Sequence, residues 1–436
     1  MLTPKCKFDS LIGFFRNVLQ KLPDKRTGKN TRYGMEDAAL SAFSVFFTQT
    51  PSFLSYQRTM AATKGRSNAQ SLFGVHQVPC DNQIRDLLDG VKPQCVFPVF
   101  EEILLWLEQS GELEALRSFG ETLLVAMDGV EYFSSHSIHC PECSTQTAKD
   151  GTVRYFHGAV TPVMVSPGRS TVVPMVPEFI VPQDGTNKQD CEIAAAKRWL
   201  SQHAETYRSM AITVLGDDLY CHQPFCEALH SHSFNFILTC RPDSHNTLYR
   251  HLDGIALPTV ICKRWTGKTE ETYTYRYLNQ VPLRSGDNAL LVNWCELTVT
   301  RADDKQLYKN AFATSHLISD QTVSAIVQSG RTRWKVENEH NNTLKTKGYN
   351  LEHNFGHGKQ HLSSLLATFN LLSLLFHTLL DLLDDKYRLL RQHLPTRKTF
   401  FDDLRALTRY WVFESWDHLL TFMIEGLELQ IPPNSS

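Results

Sequence analysis

Apolar positions recur every three or four residues in Met35–Phe47 and Val96–Gln109. That period predicts helices over residues 1 to about 118. Gly, Pro and Asn interrupt it near Thr63–Asn68 and Val91–Pro93. The period changes at Thr122. Thr122–Val130 (TLLVAMDGV) is a short apolar run ending in Asp-Gly, the pattern of a buried strand entering a turn. Tyr155–Val165 and Ser170–Val181 predict two more strands, joined by the turn Ser166-Pro167-Gly168. Cys191–His203 predicts a helix, and Ala211–Gly216 a strand ending at Asp217-Asp218. Phe225–His230 predicts a helix and Phe234–Thr239 a fifth strand. Residues 245–313 return to β patterning, as in Glu271–Leu278 and Ala289–Thr300. A long helix is predicted from Thr322 to Lys347, with more helices over Gln360–Leu394 and Phe400–Phe422.

Three antiparallel strands followed by helix-separated strands is the ribonuclease-H-like order. The predicted fold is therefore α/β: a mixed sheet with flanking helices, an N-terminal helical domain and a β-rich insertion. The chain of 436 residues divides into residues 1–118, helical; 119–244, the first part of the core; 245–313, the insertion; and 314–436, the rest of the core with a helical tail.

Charge alters the picture only locally. The net charge is −2, which gives no overall case for a nucleic-acid partner. Met1–Gly34, however, holds Lys5, Lys7, Arg16, Lys21, Lys25, Arg26, Lys29 and Arg32 against only Asp9 and Asp24. Arg331–Lys347 is a second basic stretch. The cysteines number 11, an odd count without a regular framework, and the opening residues lack a signal-peptide pattern, so a reducing cytoplasm is the expected compartment. Leu362–Leu383 is long and apolar but carries Asn370, His377 and Asp381. It is expected to be a buried helix rather than a membrane span.

Two acids fall at predicted strand ends, Asp128 and Asp217, where a carboxylate is held rigidly yet reaches solvent. Their separation is 89 residues (217 − 128). Glu337 lies on the long helix. Asp217, directly after its strand, is preferred to Asp218 as the ligand, and one of the pair could cap the next helix. Taken singly, each acid has a plainer reading: a turn, a cap or a solvated helix face.

The stretch Arg331–Gly348 is more specific. Arg333-Trp-Lys-Val-Glu337 and Leu344-Lys-Thr346 resemble the insertion-sequence DDE transposases whose C-terminal signature combines Tyr, Arg, Glu and Lys. Met127-Asp128-Gly129 and Leu215-Gly-Asp217-Asp-Leu-Tyr220 resemble that family's other two acid motifs. The resemblance covers roughly residues 120–375. It implies a metal-dependent enzyme that cuts and joins DNA ends, with Asp128, Asp217 and Glu337 holding two Mg²⁺ ions, for which Mn²⁺ can substitute. It further implies DNA contacts by Arg333 and Lys345, binding of transposon ends by residues 1–118, a homodimer on double-stranded DNA, and no membrane. The setting would be bacterial cytoplasm, at the nucleoid during activity. A DNA-binding protein that has lost catalysis, or a stand-alone nuclease on the same fold, are the other readings.

Two positions depart from the family pattern. Gly330 stands where the family has Tyr. Leu344 stands where it has Lys, and Lys345 follows one place later, rotated by about 100° on an ideal helix. Asn341, one turn after Glu337, points more directly along that face and is a further candidate DNA contact. Trp334 is expected to pack in the core or to brace the helix.

A separate signal is Cys140-Pro-Glu-Cys143 with His157 14 residues beyond Cys143. These could bind structural Zn²⁺, with His136 or His139 as the fourth ligand; the plainer reading is a reduced loop. Cys221, His222 and Cys226 form a weaker cluster. Leu351–Gly358, with His353 and His357, reads as a tight connector near the catalytic helix.

Overall fold

The computed structural model describes residues 8–28, 31–61, 63–185 and 188–430. Thirteen strands are present among them: β1 Leu123–Ala126, β2 Gly129–Ser135, β3 Ser144–Thr147, β4 Val153–Val160, β5 Val163–Val165, β6 Val173–Pro174, β7 Glu178–Phe179, β8 Ile212–Gly216, β9 Asn235–Thr239, β10 Thr259–Trp265, β11 Glu270–Pro282, β12 Leu291–Arg301 and β13 Gln306–Thr314. Nine of them make one mixed sheet in the order β10-β11-β12-β13-β9-β8-β1-β5-β6. Within it β1, β8 and β9 run parallel to their neighbours in that trio, and β5 and β6 are antiparallel to the strands beside them.

The stretch Tyr155–Val165 is not one strand. It breaks at Thr161-Pro162 into β4 and β5, which lie in different sheets. Proline has no N–H for a ladder, so the break falls where pairing must lapse. The partner strand breaks at the same level: β1 pairs β5 in the main sheet, and β2 pairs β4 in the second. A bent two-stranded ribbon thus leaves the main sheet between Ala126 and Gly129. At the bend the Thr161 N–H donates to the Asp128 carbonyl at 3.0 Å.

The β-rich region does not stand apart. β10 to β13 form an antiparallel meander, and β13 pairs β9. The insertion therefore lengthens the main sheet.

Each face of the sheet is covered at its centre, while β10 at the edge has no buried residue. Leu124, Ala126, Leu215 and Ile237 pack with Ile326, Val327 and Val336 on one face. Leu123, Val125, Met127 and Val214 face a larger core, which includes the helices of residues 8–116 and 362–424. In this core Phe8 meets Phe47 and Trp416, and Phe43 meets Phe376, at ring-centroid distances of 4.8, 4.7 and 5.1 Å. Helix Leu362–Leu383 is long and apolar enough to cross a membrane, but 89% of its most apolar window is buried inside this fold. Its Asn370 donates to the Tyr349 carbonyl at 2.9 Å, and its His377 Nδ1 meets the Tyr349 hydroxyl at 2.5 Å. Each of these two side chains thus has one polar atom partnered inside the protein, while Asn370 Oδ1 and His377 Nε2 are buried without a partner among the described residues.

The predicted helix Thr322–Lys347 is divided. An α-helix covers Val323–Arg331, a π-helical turn covers Val336–Asn341, and a short α-helix covers Asn342–Thr346. Single π-turns often mark functional sites, and this one contains Glu337.

Candidate active site

β1 and β8 pair in parallel with Leu123 opposite Ile212 and Ala126 opposite Leu215. The register offset is 212 − 123 = 89 residues. Asp128 and Asp217 are also 89 apart. Carried two residues past the last paired rung, the register makes the two acids cross-strand neighbours, and parallel strands lie about 4.8 Å apart. Side-chain alternation puts both on the face of Ala126 and Leu215. The segment carrying Glu337 packs on that face.

The electrostatics agree with convergence. Asp128 is pushed up from 3.8 to about 7, first by burial, then by the negative charge of Glu192, with Glu337 and Asp217 adding smaller pushes. Arg333 pulls it down. Its Nη2 pairs with Glu337 Oε1 at 2.7 Å, one helical turn away.

Glu192 was not expected from the sequence. It is buried on helix Lys188–Tyr207. A Cβ on Gly129 would collide with its carboxyl group, so glycine beside Asp128 is what admits it. No local motif marks it; only the packing of that helix beneath the β1–β2 bend brings it to the site.

Asp218 is committed elsewhere. Its carboxylate accepts from the Arg241 N–H at 2.7 Å and from the Ser244 hydroxyl. His245 Nε2 lies 3.3 Å from its Oδ1. Asp218 therefore organises the loop after β9. Among the described residues the Asp217 carboxylate accepts only a local bond, from the Leu219 N–H at 3.0 Å.

Three expectations need correction. Asn341 is buried, and its Oδ1 accepts from the Thr161 hydroxyl at 3.1 Å and lies 2.9 Å from His340 Nδ1. It faces the bend at Asp128 instead of an incoming ligand. Trp334 does not pack in the core; it is 44% exposed while its neighbour Lys335 is 6% exposed. The Lys335 ammonium donates to the carbonyls of Ser166 and Arg169 at the β5–β6 turn, which satisfies it there. His136 and His139 do not join the Cys140–Cys143 pair: His136 bonds the Val153 carbonyl, and His139 stacks on Tyr155.

Gly330 has a steric reason. A Cβ there would lie 2.8 Å from both Ile237 and Phe312. The helix approaches the sheet too closely for the family's tyrosine. Lys345 pairs with Glu352 at 2.6 Å on the surface. Two of the N-terminal basic residues are paired internally. Arg16 reaches Glu36 and Asp37, and Arg26 pairs with Asp24. Lys5, Lys7 and Lys29 lie outside the described residues.

No protein-family model and no curated protein matches the chain. Among solved structures it is similar to a piggyBac transposase synaptic complex with hairpin DNA, determined by cryo-electron microscopy. The two share 10% sequence identity over 92% of this chain and 82% of that one, with a TM-score of 0.37.

Proposed function

We propose that this chain is a DDE-type transposase on a ribonuclease-H-like core, with Asp128, Asp217 and Glu337 as its catalytic acids. The observation that carries the reading is the register match: the first two acids close adjacent parallel strands at one edge of the sheet. The order β6-β5-β1-β8-β9 supports the fold assignment.

The donor set is chemically suited to a hard divalent cation, and binding would draw together carboxylates that do not all lie within 4.8 Å of one another in this structure. The set consists of carboxylate oxygens, and crowding makes Asp128 reluctant to ionise without a counter-charge. Two Mg²⁺ or Mn²⁺ ions would supply nucleophile activation and leaving-group stabilisation in a phosphoryl displacement. The chain's own residues do the positioning. The β1–β2 bend aims Asp128, the end of β8 aims Asp217, and the π-turn with Arg333 holds Glu337. Among the described residues Arg333 Nη1 has no hydrogen-bond partner, which supports a phosphate contact after modest rearrangement. The Lys345–Glu352 pair is the kind of surface bridge that contributes little and exchanges readily for a phosphate. Binding of transposon ends by the N-terminal helices, dimerisation on DNA and a bacterial cytoplasmic setting belong to the same reading.

The test is a plasmid carrying the DNA that flanks the coding sequence, incubated with the full chain and Mg²⁺. Cut and joined products are expected, and Asp128→Asn, Asp217→Asn or Glu337→Gln should each abolish both. Cutting without joining would indicate a nuclease. Binding without cutting would indicate a DNA-binding protein. Full cleavage by Asp217→Asn would overturn the ligand assignment.

A further inference from the structure

Four side chains from distant parts of the chain meet at the far end of the bent ribbon. Cys140 and Cys143 come from the loop between β2 and β3, His157 from β4, and His357 from the connector after the Glu337 segment. Their ligand atoms all lie within 4.8 Å of one another. The Sγ atoms are 3.9 Å apart, the two Nε2 atoms 3.2 Å, and three S···N pairs 3.4 to 3.5 Å.

A tetrahedral ion with Zn–S of about 2.3 Å and Zn–N of about 2.05 Å requires edges of about 3.8, 3.4 and 3.6 Å respectively. The match is close on these five edges, and the sixth, from Cys140 Sγ to His357 Nε2, is within 4.8 Å. A disulfide does not account for the cluster: the sulfurs stand too far apart for the bond of about 2.05 Å, and the cysteines are free.

The surroundings are those of a closed site. The Cys140 N–H points at Cys143 Sγ at 3.4 Å. His357 Nδ1 lies 3.0 Å from the Gly358 carbonyl. That bond requires Nδ1 to carry the proton, so the Nε2 lone pair faces the other three ligands. Tyr132 stacks on His157, and Phe133 packs on His357.

We infer that Cys140, Cys143, His157 and His357 hold one structural Zn²⁺. Two thiolates and two imidazoles suit zinc and do not suit Mg²⁺, so this ion is distinct from any at the carboxylates. Its work is to clamp the connector that follows Glu337 onto the ribbon that begins at Asp128. Asp89 grips the connector's other side, accepting from the backbone N–H groups of Lys359 and Gln360 at 3.0 Å each.

The experiment uses the full chain as purified. We expect one zinc per chain by elemental analysis, retained through dialysis against a weak chelator. Replacement by Co²⁺ should give the intense visible absorption of a tetrahedral site with thiolate charge-transfer bands. Cys143→Ser and His357→Ala should lose the metal, and His139→Ala should keep it. Should a variant fail to fold, the Co²⁺ spectrum of the unmodified chain still decides. A folded chain without zinc, a six-coordinate Co²⁺ spectrum, or a folded His357→Ala that retains the tetrahedral spectrum would each overturn the assignment.

Discussion

The Asn341 amide oxygen accepts a hydrogen bond from the Thr161 hydroxyl at 3.1 Å, while the Thr161 N–H holds the Asp128 carbonyl. Asn341 therefore links the π-turn that carries Glu337 to the bend that carries Asp128.

Replacing Asn341 with Ala leaves the buried Thr161 hydroxyl and His340 Nδ1 without this acceptor. A stability loss of about 1–3 kcal/mol is expected. Chemical denaturation measures it. DNA cleavage should fall as well, because the third acid loses its tie to the first. A variant with unchanged stability would deny the link any structural weight.

Gly330→Ala tests the close approach of helix and sheet. The added methyl meets Ile237 and Phe312. Overpacking of this kind costs about 1–3 kcal/mol, and Gly330→Tyr should be worse. The thermal midpoint of each variant gives the answer. A midpoint equal to that of the unmodified chain would show that the helix has room to move.

Glu192→Gln removes the largest charged contribution that raises Asp128. A carboxylate beside a carboxyl group disfavours its ionisation, so in metal-free protein the Asp128 pKa should fall from about 7 toward the ordinary range. A carbon-13 NMR titration of Asp128 is the readout. An unmoved titration would remove Glu192 from the site.

The His245–Asp218 contact predicts a pH dependence. Burial alone lowers His245, but Asp218 and Cys221 outweigh it and raise the group from 6.5 to about 9. A folded value above the unfolded one stabilises the fold fully below about pH 6.5. That contribution fades as pH rises through about 9. The thermal midpoint of the unmodified chain should drop across this window, and the drop should shrink in Asp218→Asn. Parallel curves for the two proteins would rule the pair out.

The core strands were legible because each is a short apolar run closed by a turn residue, as at Asp128-Gly129 and Gly216-Asp217. The 89-residue spacing was visible too, although its meaning required the β1–β8 register. What was hidden depends on contacts between distant segments. Pro162 splits a run that period alone joins. The π-turn breaks a helix whose apolar spacing continues through it. Lys335 takes the interior place expected for Trp334 because two carbonyls from another segment receive its ammonium. His357 lies 200 residues beyond His157, so no local spacing could point to it, and Glu192 reaches the acids only through the packing of its helix.

The shared core of early and late helices also bears on synthesis. Phe8, Phe43 and Phe47 pack against Phe376 and Trp416, which a ribosome makes more than 300 residues later. At about 5–20 residues per second, the first helices wait tens of seconds with their aromatic faces uncovered. Contacts of such long sequence separation slow folding. The nascent chain is therefore expected to depend on chaperones until Leu362–Leu383 has emerged.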